Sequence, residues 1–261
     1  MSEGKVTLER RGHVLLIGLD RAEKYNAFDI SLYHELAKAY GELERDDELR
    51  CAVLFAHGEH FTAGLDLAQW VSEFGQGKWP ALPDGALDPM MLQGEPRTKP
   101  VVMAIQGICF TIGIELLLAC DIRVAANNTR FAQIEVKRGI YPVGGATMRW
   151  HMESGWGNAM RYLLTGDEFD AHEAYRMNMV QAVTEPGEEL HKAIEIAETI
   201  AKQAPLGVYA TLKSARLTRY AAEQAAIETL LPDLLPLMAS EDVQEGVQSF
   251  LERREANFNG R

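Results

Sequence analysis

Apolar and polar positions alternate at the start of the chain. Val6 and Leu8, then His13 through Leu19 up to Asp20, predict two strands about a turn at Arg11-Gly12. A polar loop, RAEKYNAFD, follows. Asp29 then caps a helix through residue 45, with Leu32, Leu36, Ala39, Tyr40 and Leu43 at helical spacing. CAVLFAHG is a short apolar run ending at Gly58, the pattern of a buried strand. The order then recurs. VVMAIQG after Lys99-Pro100 predicts a strand, a turn leads into a helix ending near Cys120, DIRVAA predicts the next strand, and the polar stretch NNTRFAQIEV comes after it. Strand, loop and helix repeated in this way predict an α/β fold with parallel strands.

Two segments depart from this rhythm. Residues 74–96 mix four prolines and four glycines with Phe74, Trp79, Leu82, Leu87, Met90 and Met91, a composition that suits a pocket wall or lid. Beyond about residue 186 the strand pattern stops. Helical stretches are predicted over 188–203, 206–220, 222–231 and 241–254, broken by Pro205, Pro232 and Pro236. The expected division is therefore a core over residues 1–195 and a helical tail over 196–261, packed on the core or used between subunits.

Composition narrows the function. With 26 basic and 38 acidic residues the 261-residue chain carries a formal charge of −12, which argues against a nucleic-acid surface. Cys51, Cys109 and Cys120 are odd in number and have no zinc-site spacing, so they read as free thiols of a reducing compartment. The opening MSEGKVTLERRG lacks the apolar core of a secretory signal, and the expected location is the cytoplasm. Residues 101–122 approach the length of a membrane span. Gln106, Gly107, Gly113 and Glu115 instead suit a buried strand, a turn and a buried helix in series, so no membrane association is expected.

Two loops carry candidate chemistry. HFTAGLDL follows the strand at Cys51–Ala56; Gly64 permits a tight corner, Asp66 suits the positive end of a following helix, and the Leu65 N–H is available to an oxyanion. By itself this motif need be no more than a strand-to-helix turn. His57 and His60 have no third ligand nearby, so no metal site is expected. The second corner is GICFTIGIE, where a helix starts near Thr111 or Ile112 and places Glu115 about one turn inside. Glu115 stands among Ile112, Ile114, Leu116, Leu117 and Leu118, where a carboxylate costs several kcal/mol unless it is paired or protonated. Twenty residues later Glu135 precedes Gly139, Pro142, Gly144 and Gly145. Two acids that divide proton transfers next to a polarised carbonyl form a coherent reaction centre.

Taken in order, RAEKYNAFD, HFTAGLDL, AIQGICFTIGIELLLACDIRVA, FAQIEVKRGIYPVGG, LLTG and the closing SEDVQEGVQSFLERREANF resemble the enoyl-CoA hydratase/isomerase (crotonase) family over nearly the whole chain. The resemblance implies a spiral of ββα units with a C-terminal helical trimerisation region, assembled as a homotrimer or a hexamer. It implies a CoA thioester as substrate, with no metal or redox cofactor. Its thioester oxygen would lie between the backbone N–H groups of Leu65 and Ile112, and its two catalytic glutamates map onto Glu115 and Glu135. Lys24, Ala27, Ala63, Asp66 and Leu67 fall where the family binds CoA, and Arg253 and Arg254 are further candidates for its phosphates. Trp70, Phe74, Trp79, Met90 and Val143 are expected to line the acyl pocket. The chain departs from the hydratase pattern in three places: Thr111-Ile112-Gly113 replaces a glycine triplet, Ile134 a proline, and Val143 a glycine.

Retention of both acids favours hydration of a 2-enoyl-CoA. The alternatives are a double-bond isomerase using one glutamate, a thioester hydrolase, and a non-catalytic binding protein on the same fold. A serine peptidase is disfavoured because no serine occupies either corner.

Overall fold

The computed structural model describes residues 3–259, apart from the side chains of 218–222 and 224–226. β1 (Lys5–Arg11) and β2 (Val14–Asp20) form an antiparallel hairpin at the edge of a six-stranded sheet. The sheet continues in parallel through β3 (Cys51–Ala56), β4 (Val101–Ile105), β6 (Ile122–Ala126) and β9 (Ala182–Thr184). β5 (Ile108–Phe110), β7 (Arg130–Ala132) and β8 (Phe169–Asp170) make a second, three-stranded sheet. Single bridges, Thr62 to Cys109 and Phe28 to Leu65, extend this second layer toward the start of the chain.

One unit is thus repeated along the chain. A strand of the large sheet turns sharply, contributes a short extended piece to the second layer, and enters a helix or helical turn. β3 leads through Thr62 to α2 (Leu67–Gly75), β4 through β5 to α3 (Ile112–Ala119), and β6 through β7 to a 3-10 turn at Glu135–Arg138. This is the spiral expected from the sequence, although β5 and β7, at three residues each, are too short to show periodicity of their own.

Alternation along the strands separates two cores. Val14, Leu16, Cys51, Val53, Val102, Ala104 and Val124 pack against Ala193, Ile194, Ala197 and Ala201 of α7 (Glu189–Ala201). Leu15, Ile17, Leu19, Ala52, Leu54, Met103 and Ile105 face the other way, toward α1 (Ile30–Arg45) and α3. Asp29 caps α1 as expected, accepting from Leu32 N–H at 2.7 Å. All three cysteines are buried free thiols. The division expected at residue 195 falls inside α7. The segment between the site and α7 forms α4 (Ala146–Ser154), α5 (Trp156–Thr165) and α6 (Ala171–Arg176).

The tail differs from expectation. Pro232 and Pro236 do not break it: Pro205–Met238 is one 34-residue helix, α8, followed by α9 (Glu241–Glu252). Only Pro205 acts as punctuation, at the first turn, where a missing N–H costs nothing. Proline inside a helix costs about 3 kcal/mol. Here Leu230 and Leu234, which flank Pro232, are buried on the main core, and Tyr141 Oη donates to Leu230 C=O at 2.7 Å. Tertiary packing holds the helix through a local sequence that would end it in isolation.

Candidate active site

Both corners fold as strand-to-helix turns. At the first, Gly64 has φ +111, Phe28 N–H donates to Gly64 C=O at 2.8 Å, and Asp66 N–H returns to Phe28 C=O at 2.8 Å. The Leu65 N–H lies on the opposite side of this short ladder and has no acceptor among the described residues. At the second, Thr111 N–H donates to Ala132 C=O, and Thr111 C=O accepts from Ile114 and Glu115 N–H. The Ile112 N–H opens α3, where no intrahelical acceptor exists, and it too is unpaired among the described residues.

Thr111 itself is strained. It has φ 50 and ψ −111, a region that a β-branched residue enters at a cost of about 1–3 kcal/mol. Its hydroxyl is buried without a hydrogen-bond partner among the described residues, a further cost of about 1–3 kcal/mol.

Glu115 and Glu135 line one small cavity with Leu65, Trp70, Phe74, Trp79, Met90, Ile112, Ile140, Tyr141 and Val143. Its free volume is about 20 Å³, room for little more than a water molecule. All five residues expected in the acyl pocket lie on its wall. Trp70 is fixed by its indole N–H on Phe28 C=O at 2.8 Å, and the Trp70, Phe74 and Trp79 rings contact one another in series.

The two carboxyls are held differently. Glu115 Oε1 accepts the backbone N–H of Gly144 at 2.6 Å and of Ala146 at 3.4 Å, the start of α4. Burial pushes its carboxyl up to about 7 against the pull of those two donors and the Arg149 cation. Glu135 opens the 3-10 turn and receives one side-chain donor, Gln133 Nε2 at 2.9 Å, while its Oε2 is buried without a partner among the described residues. Burial, and then the charge of Glu115, raise its carboxyl well above the usual range. Two acids in one apolar cavity resist simultaneous ionisation, and the better-supported Glu115 is the one suited to carry the charge.

Beneath the cavity Arg149, itself buried, donates to Met90 C=O at 2.7 Å and pairs with Glu223 of α8 at 3.2 Å. It thereby ties the Met90 wall to the tail helix. Arg149, Tyr141, Ile140 and the Gly144 and Ala146 amides were not singled out from sequence. The signal for them was IYPVGG: two glycines before a helix, close after an acid, supply N–H groups that a carboxylate can use.

The residues expected at a CoA site form a separate surface outside the cavity. Ala63 N–H donates to Tyr25 C=O at 2.9 Å, and Arg21 bonds both Ala27 C=O and Asp66, so the loop bearing Lys24 and Ala27 is tied to the corner bearing Ala63, Asp66 and Leu67. Lys24 and Leu67 are exposed. Arg254 is engaged by Glu245 and Glu252 of α9. A larger cavity of about 660 Å³ opens elsewhere, among His57, His60, Gln106, Arg130 and Glu189, but the acid pair does not face it. There His57 Nε2 meets Thr7 Oγ1 and His60 Nδ1 accepts Ile108 N–H, so both histidines serve the loops. Among the described residues no cluster of His, Cys, Asp and Glu suits a metal, and no helix is long and apolar enough to cross a membrane.

A two-layer spiral that holds two buried acids in one cavity with two corner residues, whose amides are unpaired among the described residues, is able to stabilise charge developing on an oxygen. A family model described as enoyl-CoA hydratase/isomerase matches residues 9–261, and the chain belongs to that family. Enoyl-CoA hydratase EchA19 of Mycobacterium tuberculosis is 32% identical over 258 residues, 97% of this chain and 96% of that one. The short-chain-enoyl-CoA hydratase of Clostridium acetobutylicum is 31% identical, covering 97% of each chain. Among solved structures, one from Mycobacterium abscessus, described as a probable enoyl-CoA hydratase/isomerase, is 50% identical over 100% of both chains with a TM-score of 0.81. The protein is a hydratase-like, lyase-type enzyme of this family.

Proposed function

We propose that the protein adds water reversibly across the 2,3-double bond of a 2-enoyl-CoA thioester, giving the 3-hydroxyacyl-CoA. The observation that carries this reading is the pairing of Glu115 and Glu135 in one small, mostly apolar cavity that is also lined by Leu65 and Ile112, whose amides are unpaired among the described residues. The thioester oxygen accepts both N–H groups, which stabilise the enolate charge as water attacks Cβ. Glu115, the better supported anion, takes the proton from that water. Glu135, the more readily protonated, gives its proton to Cα. The π pair moves onto the carbonyl and returns to form the Cα–H bond, and the two acids exchange a proton to reset. No metal or redox partner enters this balance.

The acyl chain enters as the Trp70, Phe74 and Trp79 wall moves outward, since the closed cavity holds little more than a water. CoA lies along the surface of Lys24, Ala27, Ala63, Asp66 and Leu67, its phosphates toward Lys24. The tail completes a homotrimer or a dimer of trimers. Leu206, Leu217, Phe250 and Leu251 on α8 and α9 are each more than half exposed, as an interface requires. Light scattering tests the assembly.

Incubation with a 2-enoyl-CoA tests the chemistry. Loss of the conjugated absorbance with formation of 3-hydroxyacyl-CoA is expected. Turnover of a 3-enoyl-CoA to the 2-enoyl isomer without hydration assigns an isomerase instead, and release of free thiol a hydrolase.

A further inference from the structure

Thr111 is conspicuous for what its position costs. Its backbone is bound on both sides, through its N–H to Ala132 C=O and its C=O to the Ile114 and Glu115 amides, so the left-handed conformation is imposed by the corner. Glycine would occupy it without strain. The chain instead carries a β-branched residue there, with a hydroxyl that has no partner among the described residues. Strain and an unsatisfied buried donor at one residue mark a place where something else supplies the compensation.

The direction of the hydroxyl narrows what that is. Thr111 Oγ1 is aimed across the site at Gly64: a Cβ built on Gly64 would stand 2.4 Å from it, nearer than either Thr111 Cβ or Cγ2. It makes no hydrogen bond to Gly64, whose C=O accepts Phe28 N–H and whose N–H donates to Thr62 Oγ1. The hydroxyl therefore sits between the two corners. Covalent connection places it one peptide from the free Ile112 N–H and against the residue preceding the free Leu65 N–H. Three donors without acceptors among the described residues thus lie within a few bonds of this contact, two from the backbone and one from a side chain.

We infer that the Thr111 hydroxyl is a third donor to the substrate's thioester carbonyl oxygen, beside the Leu65 and Ile112 amides. This rests on the oxyanion site proposed above. In the ground state the hydroxyl polarises the carbonyl. As negative charge builds on the oxygen, its hydrogen bond strengthens, and no proton is transferred. Because a hydroxyl rotates, it follows the oxygen between the planar thioester and the enolate, which the fixed amides cannot do. The contact also accounts for the requirement for glycine at position 64, where any side chain would displace the hydroxyl.

The test compares Thr111→Val, Thr111→Ser and Thr111→Gly with the wild type, using a 2-enoyl-CoA for rates and butyryl-CoA, 13C-labelled at the thioester carbonyl, for infrared difference spectra of the bound ester. Thr111→Val is expected to lower kcat by about 10- to 100-fold and to reduce the downshift of the bound carbonyl stretch. Thr111→Ser is expected to restore both. Thr111→Gly relieves the backbone and lacks the hydroxyl, so it should fold even if the valine variant does not, and should share the loss.

Wild-type rates and stretch in Thr111→Val or Thr111→Gly overturn the inference, as does a serine variant no better than valine. A rise in KM alone with an unchanged stretch also overturns it, since the hydroxyl would then bind another part of the ligand. A wild type that shifts the carbonyl but does not hydrate leaves the donor in place and removes the hydratase reading. A wild type that does not shift the carbonyl overturns the inference at its root.

Discussion

Gly144 and Glu115 are built for each other. The Gly144 N–H donates to Glu115 Oε1 at 2.6 Å, and a Cβ on Gly144 would stand 2.2 Å from Oε2 of the same carboxylate and 2.7 Å from Met90 Sδ. Any side chain at position 144 would therefore force the carboxylate and Met90 Sδ to shift. Gly144→Ala should displace the Glu115 carboxylate and lower kcat by about 10-fold or more, since misplacement of about 1 Å costs roughly 100-fold. Steady-state kinetics on a 2-enoyl-CoA checks this, with circular dichroism confirming the fold.

Glu115→Gln and Glu135→Gln keep shape and remove proton transfer. Each should lower kcat by about 10²- to 10⁴-fold while the affinity for a saturated acyl-CoA changes little. Calorimetric titration beside kinetics separates the two effects, and full rate in either variant sinks the two-acid mechanism.

The buried acids also set a pH dependence of stability. Glu115 has a folded-state pKa raised from 4.5 to about 7, so the folded state binds its proton more tightly than the unfolded chain does. Its stabilising contribution is complete below about pH 4.5 and is lost as pH rises toward 7. Removing the ionisable group at pH 8 should therefore stabilise the fold, by an amount of the order of 3 kcal/mol. Glu115→Gln should melt above the wild type at pH 8, with the gap closing near pH 4.5. Melting curves at the two pH values decide it.

Arg149 and Glu223 are both buried, and Arg149 also holds Met90 C=O. Arg149→Met removes a buried cation from the Glu223 carboxylate and should destabilise by about 3–5 kcal/mol. Adding Glu223→Met should recover most of that loss. Urea unfolding of the single and double variants measures it, and additive losses would show that the pair does not act as a unit.

Ile112 and Val143 close the small cavity over the acids. Ile112→Gly removes four carbons beside the reaction centre and should extend the range of acyl chains accepted. The ratio of kcat/KM for a long to a short 2-enoyl-CoA should rise by roughly 10-fold or more, as expected for several methylenes of pocket space. An unchanged ratio would place the limit on chain length in the aromatic wall instead.

Legibility followed the range of the interactions. The α1 cap at Asp29, the buried strands β3 and β4, and the carboxylate out of place at Glu115 were all readable because each is a local pattern of a few residues. The continuity of α8 was not. Pro232 and Pro236 are strong local breakers, and what overrides them is burial of Leu230 and Leu234 on a core drawn from residues far away in the chain. The supports of Glu115 were invisible for the same reason. Gly144, Ala146 and Arg149 lie about thirty residues from it, and although the paired glycines of IYPVGG offer free N–H groups, nothing local shows that it is Glu115 that arrives there.

By itself, the order of residues determined that this chain forms parallel βα units, that it carries two acids and two glycine corners in register with the enoyl-CoA hydratase/isomerase family, and that helices close it. Periodicity, capping and motif spacing are short-range properties, and they survive in a linear reading. Only the tertiary structure decided that the two acids share one cavity, that Glu115 is anchored by two amides while Glu135 has a single side-chain donor, and that the Thr111 hydroxyl points toward Gly64 without a partner among the described residues. Those outcomes depend on desolvation and on donors converging from separate elements. Neither quantity exists until the chain has closed on itself.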